Sequence, residues 1–416
     1  MPDTNPDRPA PIRVVGARWA PRTHEVKDFL ARGRIPYLWF DPDESDEGRR
    51  LLEEAGGASC RLPLLLFADG ARLQDPTDAE LAEKVGLDTE PESPFYDLVV
   101  VGGGPAGLAA AVYGASEGLR TLILERRAPG GQAGQSARIE NYLGFPEGIA
   151  GGEFARRAVE QGEKFGVEIV VAREATALER AGGYHRVTLD DGGSVGAHAV
   201  LLSLGVDWQT LEAPGCSDLV GAGIYYGAAA AEAAAVRGRD VYMLGAGNSA
   251  GQAALLLARY ARSVTLLALE KEMTEKMSRY LVDRIRATGN VRFRPCCTVE
   301  SARGEGRLER ITIREMATGK TEEVLADALF VFIGAAPRTE CLEGTVSRDD
   351  NGYLLTGRRV PKEAWKEERD PQPLETSLPG CFAAGDVRAG SVKRVGSAVG
   401  EGSMALQQVH DFLANR

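Results

Sequence analysis

The chain has 416 residues, 44% of them hydrophobic and 26% charged, which is too long for one ordinary domain and ample for buried cores. Its formal net charge of -11 and pI of about 5.2 argue against a nucleic-acid partner, which needs a basic face, and no apolar run is long enough to span a bilayer, so no membrane partner is expected. Six scattered cysteines without a CxxC pair, four separated histidines and a polar opening (MPDTNPDRPAP) exclude a disulfide framework, a zinc-type cluster and a signal peptide, and point to the cytoplasm.

In chain order, PIRVVG reads as a strand and THEVKDFLARG as a helix that stops at Gly33. IPYLWFD is a second strand, ESDEGRRLLEEAGG a charged helix with a glycine stop, LPLLLFADG a third strand and DAELAEKVGL a last helix. This β-α-β-α-β-α order, with Pro63 just before a strand, resembles the thioredoxin/glutaredoxin fold, in which that proline is cis and faces a dithiol. WAPRTHEVKDFL, from Trp19 to Leu30, has Ala20 and Thr23 where the two thiols would stand. DTEPESP then reads as a linker.

From Phe95 the pattern changes. YDLVVVGGGPAGLAAAVYGASEGLRTLILE is a strand, a glycine turn, an alanine-rich helix and a second strand that ends in Glu125. Gly102 makes the tight turn, Gly104 lets backbone approach a pyrophosphate, and Gly107 lets helix and strand pack closely. Pro105 and Ala106 open a helix whose free N–H groups and positive dipole end face the phosphates. Glu125, with Arg126 beside it, follows about twenty residues on, where a carboxylate accepts from a ribose hydroxyl. A second unit, DVYMLGAGNSAGQAALLLARYARSVTLLALE, repeats the build with Gly245, Gly247, Asn248, Ser249 and Ala250, although a fold can keep such glycines after losing its ligand. Near the C-terminus, a strand from Cys381 to Ala384 delivers Gly385 and Asp386, suited to a ribityl or ribose hydroxyl. The helix from about Val395 can aim its N-terminus at electron density on a flavin ring.

These segments, with PGGQAGQSARIENYLGFP, LLSLGVDWQ and FVFIGAAPRT, resemble the low-molecular-weight thioredoxin reductase family of FAD- and pyridine-nucleotide-dependent flavoproteins. The resemblance runs from Tyr96 to the C-terminus in family order. It implies that Gly130, Gly131, Gln132 and Asn141 line the flavin, that Gly205 stands for the glycine of an A-T-G motif, and that Arg394 and Val395 approach the isoalloxazine. It also implies a homodimer. IENYLGFP, GAGIYYGAA and SVKRVGSAVGEGS point more narrowly to a bacterial subgroup, whose members are often fused to sensor-type or glutaredoxin-like domains.

One departure bears on the chemistry. The family's C-A-T-C-D stretch corresponds to Gly227–Ala231 here, which holds no cysteine. Among the remaining thiols, Cys296 and Cys297 read as neighbours on one strand, facing opposite sides. Cys60 lies near Pro63, and Cys381 reads as core. The NADPH-type H-R-R stretch is replaced by Ala268, Leu269 and Glu270, which favours a bare ribose and hence NADH over NADPH; equally, Glu270 is a solvated charge at a strand end.

The expectation is an α/β protein with two Rossmann-like dinucleotide-binding domains, the FAD domain discontinuous, plus an N-terminal thioredoxin-fold domain. The divisions are 1–92 (glutaredoxin-like, without CxxC), 95–210 with 328–416 (FAD), and 211–327 (NAD(P)). The expected activity is hydride transfer from a pyridine nucleotide to FAD and on to a non-disulfide acceptor or partner protein that the sequence leaves unnamed. A flavin-holding scaffold or sensor, and a disulfide reductase using distant cysteines, remain as alternatives.

Overall fold

The structure, a computed structural model, describes residues 11–415 except 19, 34, 137, 228–232, 234 and 235. Trp19 and the alanines at 228–231 therefore lie outside the described residues. The chain forms two units, Met1–Thr77 with Trp208–Gly334, and Asp78–Asp207 with Ala335–Arg416.

The first unit begins with a four-stranded sheet in the order Tyr37–Phe40, Ile12–Val15, Leu64–Leu66, Arg72–Gln74, the first pair parallel and the others antiparallel. Pro21 opens the helix Pro21–Arg32, where a missing N–H costs nothing, and Gly33 caps it. The helix Asp46–Ala55 is capped by Ser45, whose hydroxyl accepts from Gly48 N, and stops at Gly56, whose φ of +131° suits glycine. Val15, Leu51 and Leu64 fill the core between sheet and helices. Leu62–Pro63 is cis. The expected β-α-β-α-β-α order gains a strand, Arg72–Gln74: Asp69 and Gly70 close a hairpin, with Phe67 N donating to Ala71 O. Two exposed polar residues flanking Leu73 hide that edge strand from the hydrophobic pattern. The helix Asp78–Lys84, expected in the N-terminal domain, groups with the second unit.

The rest of the first unit is a five-stranded parallel sheet ordered Ile224–Tyr226, Ala328–Val331, Asp240–Leu244, Ser263–Leu267, Val291–Arg294. The helices Asn248–Leu257 and Arg279–Ala287 pack on it through Ala250, Ala254, Leu257, Leu281 and Ile285. An antiparallel meander, Cys297–Arg303, Arg310–Glu315 and Thr321–Leu325, follows. Cys296 does not share a strand with Cys297. It takes φ +53° between Pro295 and the meander, where the chain leaves the parallel sheet, while Cys297 starts the strand and is buried.

The second unit holds a seven-stranded sheet. Glu168–Val171, Thr121–Glu125, Phe95–Val101 and Ser194–Leu202 are parallel neighbours, and Tyr184–Leu189 and Ala175–Ala181 extend it antiparallel. Cys381–Ala383 pairs in parallel with the far end of Ser194–Leu202. Strands Phe95–Val101 and Thr121–Glu125 read as near-continuous apolar runs because both faces are covered. The helices Pro105–Ser116 and Val395–Ala414 lie on one face, so close that a side chain on Gly402 would overlap Ala106 O.

Candidate functional site

The first glycine turn is built by contact, residue by residue. Gly102 (φ +104°) ends its strand against Ser203, whose carbonyl leaves no room for a Cβ. Gly104 caps the helix Pro105–Ser116, and a Cβ on Gly107 would overlap Gly102 O, which is the close packing the third glycine permits. Ser203, which lies in the LLSLGVDWQ segment but carries no expected role there, seals the turn by donating from Oγ to Gly102 O at 2.8 Å. Nothing in the local sequence marks it, since the contact spans about a hundred residues of chain.

Glu125 is buried, and both its oxygens are engaged: Oε2 accepts from Gly103 N at 2.7 Å and Oε1 from Arg127 N at 3.0 Å. Each oxygen keeps a lone pair for a ribose hydroxyl. Arg126 pairs with Asp207 at 2.5 Å. Gly130 N donates to Gly103 O at 2.7 Å, and a Cβ on Gly131 would sit 3.1 Å from Gly104 Cα. Gln132 Nε2 donates to Val206 O, next to Gly205, at 2.5 Å. Gly205 has φ +66° and open space where a side chain would be.

Gly385 (φ +79°) closes on the same helix start, where a Cβ would lie 3.0 Å from Ala106 Cβ. Gly385 N donates to Glu401 Oε2 at 2.8 Å, and Glu401 is held by Arg388 at 2.5 Å. Asp386 is half-buried; burial raises its pKa, with Lys393 opposing and Glu401 adding to the shift. Arg394 is the exposed N-cap of Val395–Ala414, and Asn141 is also exposed. Thus the structure brings Gly102, Gly104, Pro105, Ala106, Gly107, Glu125, Gly131 and Gly385 around one helix N-terminus, with Gln132 tied to the segment at Gly205. It shows no such tie for Asn141, Arg394 or Val395. A cradle without side chains at a helix N-terminus, flanked by two carboxylates, fits the pyrophosphate and hydroxyls of a dinucleotide such as FAD.

The second turn has the same frame. Gly245 (φ +131°) ends its strand against Phe332 O, Gly247 caps the helix Asn248–Leu257 with free space around it, and Ala250 is buried. Ser249 is exposed, and Asn248 Oδ1 accepts from Ser278 N at 2.7 Å, fastening the helix to the next segment. Glu270 is not the counterpart of Glu125. Gly102 N donates to Leu124 O, just before Glu125, whereas Gly245 N donates to Leu267 O, just before Ala268. The structural counterpart is therefore the buried Ala268, and Glu270 pairs with Lys276 at 3.4 Å.

Four thiols are held protonated by burial: Cys381 is pushed up to about 12, Cys216 to about 11, and Cys297 and Cys341 are also raised. Cys60 Sγ turns to Ala55 O at 3.2 Å, and Thr23, expected in the place of a second thiol, is fully buried. Among the described residues there is no group that could hold a metal ion, and no helix is long and apolar enough to cross a membrane.

Residues 96–402 match the model of the pyridine nucleotide-disulphide oxidoreductase family. The chain belongs to this family. It is 31% identical to the thioredoxin reductase of Treponema pallidum over 318 residues, which is 76% of this chain and 97% of that protein. With the F subunit of alkyl hydroperoxide reductase in Pseudomonas putida it shares 30% identity over 91% of this chain and 66% of that one. The crystal structure of Lactococcus lactis thioredoxin reductase superposes with a TM-score of 0.70 at 28% identity, over 77% of this chain and 100% of that one. Membership makes the chain an FAD-dependent oxidoreductase that uses a pyridine nucleotide, and the first glycine turn fits the flavin cofactor. FAD when bound supplies the hydride chemistry; the protein binds and orients it.

Proposed function

We propose that this enzyme passes hydride from a pyridine nucleotide, NADH before NADPH, to FAD and on to an acceptor that is not a disulfide. The observation that carries this is the state of its thiols. No two cysteines form a CxxC pair, and four of the six are held protonated by burial. A dithiol relay needs a thiolate beside a second thiol, and neither site of the family offers one. FAD is placed at the first turn, with Gly102, Gly104, Gly107, Glu125, Gly131, Gln132, Gly205, Gly385 and Asp386 around it, and the nucleotide at Gly245, Gly247 and Ala250.

On this reading the segment before residue 92 is a redox-silent glutaredoxin-like domain. Its mixed four-stranded sheet with a helix between strands supports that reading. So does the alignment with the alkyl hydroperoxide reductase chain, whose 91% coverage exceeds what the chain from residue 96 onward supplies. We place the working enzyme in the cytoplasm as a homodimer.

The test is anaerobic. The purified flavoprotein is reduced with NADH and then mixed with a quinone, with ferricyanide, or with an aromatic disulfide plus thioredoxin. Rapid reoxidation by the first two and none by the disulfide is expected. Sustained thioredoxin-dependent turnover that disappears on Cys60→Ser or Cys296→Ser would overturn the proposal.

A further inference from the structure

The five-stranded sheet changes direction of winding between two of its strands. From Asp240–Leu244 the chain proceeds to Ser263–Leu267 and Val291–Arg294 on one side, while Ala328–Val331 and Ile224–Tyr226 lie on the other. The crevice beyond the C-terminal ends of strands at such a reversal is where nucleotides bind in open α/β sheets. Here those ends are Gly245, Phe332 and Gly227, side by side. A Cβ on Gly245 would overlap Phe332 O, so the first two touch.

Trp208 lies across this edge. Its ring meets Phe332 edge to face, centroids 5.3 Å apart and planes at 81°. A side chain on Gly227 would overlap the indole Nε1, so the tryptophan occupies the space a residue at 227 would fill. Gly227 opens the stretch that corresponds to the family's dithiol: a bulky ring stands where the thiol is missing. Trp208 and Phe332 are both half-buried, and Trp208 Nε1 is buried with no hydrogen-bond acceptor among the described residues. A buried donor left so is costly unless something supplies an acceptor.

The direction of a bound dinucleotide follows from the turn. The pyrophosphate sits at the N-terminus of Asn248–Leu257, and its adenosine ribose goes toward the end of the next strand, Ser263–Leu267. The other half must then cross the reversal toward Phe332 and Trp208.

We propose that Trp208, backed by Phe332, is the stacking surface for the nicotinamide ring, a specificity residue in the crevice position that a dithiol holds elsewhere in the family. This rests on the reading of the second glycine turn as a pyridine-nucleotide site. Planar rings stack on tryptophan with enough energy to change affinity about tenfold.

The experiment is calorimetric titration of the FAD-loaded, full-length enzyme with NAD+ and with ADP-ribose, which lacks the nicotinamide. Trp208→Ala is expected to weaken NAD+ about tenfold and leave ADP-ribose unchanged. Trp208→Phe, which keeps a ring, should stay within about threefold of wild type. Trp208→Leu keeps apolar bulk without a π face and should behave as the alanine variant does, which covers the case in which the smaller residue unfolds the unit. NAD+ affinity unchanged in Trp208→Ala or Trp208→Leu, or both probes weakened alike, overturns the stacking role and leaves the nucleotide site standing. Wild-type enzyme that binds neither probe overturns the nucleotide-site reading itself, and this proposal with it.

Discussion

Glu125 accepts the backbone N–H of Gly103 at 2.7 Å, so the carboxylate at the end of the second strand fixes the shape of the glycine turn at the end of the first. A residue expected only to touch a ligand also shapes the turn at which we propose that the ligand binds. Glu125→Ala leaves the buried Gly103 amide without its acceptor, at a cost of about 1–3 kcal/mol, and also frees the half-buried Arg127 amide, which costs less because water can reach it. We expect purified Glu125→Ala to carry far less than stoichiometric flavin and to melt lower. Glu125→Gln keeps one acceptor oxygen and should hold an intermediate amount. The ratio of flavin to protein absorbance measures both.

Asp386 separates stability from cofactor retention. Burial raises its pKa, so in the apoprotein the ionised form is penalised at neutral pH. Because the folded-state pKa lies above the unfolded one, its stabilising contribution is complete below the ordinary aspartate value of 3.8 and is lost as pH rises through the folded-state pKa. Asp386→Asn, which cannot ionise, should therefore make the apoprotein relatively more stable at pH 7, an advantage that shrinks as pH falls toward 3.8. The same variant should bind FAD more weakly. Denaturant melts of apoprotein across pH, together with a flavin-binding titration, read the two effects separately. A neutral-pH loss of apoprotein stability would show that Asp386 is held by contacts it makes while charged.

For the nicotinamide cofactor, flavin reduction is expected to be faster with NADH than with NADPH, because no arginine stands at 268–270 to meet a 2′-phosphate and Glu270, although not the counterpart of Glu125, repels one. Lys276 already neutralises Glu270 across 3.4 Å, so the preference should be modest. Glu270→Arg would set two cations together and should move the NADH to NADPH rate ratio about tenfold or more toward NADPH, as a guanidinium fork suits a 2′-phosphate. Stopped-flow reduction with both cofactors decides. An unchanged ratio would put the adenosine ribose away from residue 270.

Thiol counting tests the relay directly. Cys216 and Cys381 are fully buried with raised pKa values, and neither should react with an aromatic disulfide reagent at about pH 8 in the native enzyme. Reduction by excess NADH should expose no additional thiol. Two new thiols per chain after reduction would reveal a redox-active pair.

The strand–glycine–helix frames are legible in the sequence because their signals are local: Gly102 to Gly107 and Gly245 to Ala250 each sit within one turn of chain. The hairpin strand Arg72–Gln74 is not, being short and polar at a sheet edge. Alternation misplaces Cys296 because it assumes an extended backbone, and φ +53° breaks it. Charge alone points to Glu270 as the ribose acid, whereas the hydrogen bond from Gly245 to Leu267 fixes Ala268 as the counterpart of Glu125. Ser203, Trp208 and Glu401 lie within segments that carry the family resemblance, but their roles are hidden for a common reason: each acts on residues distant in sequence, and a single chain carries no trace of such contacts.

The near-contact of Gly402 with Ala106 sets an order of events during synthesis. The helix that begins at Pro105 emerges from the ribosome long before its partner Val395–Ala414, and the strand Cys381–Ala383 is also still to come. Until those residues are made, one side of the glycine turn faces water and Gly385 is not there to close it. A nascent chain has half of the proposed flavin site and an uncovered apolar helix face, the kind of surface chaperones hold. On the proposed placement of the flavin, its site is complete only when the nearly finished polypeptide has added Gly385 and the helix that follows it.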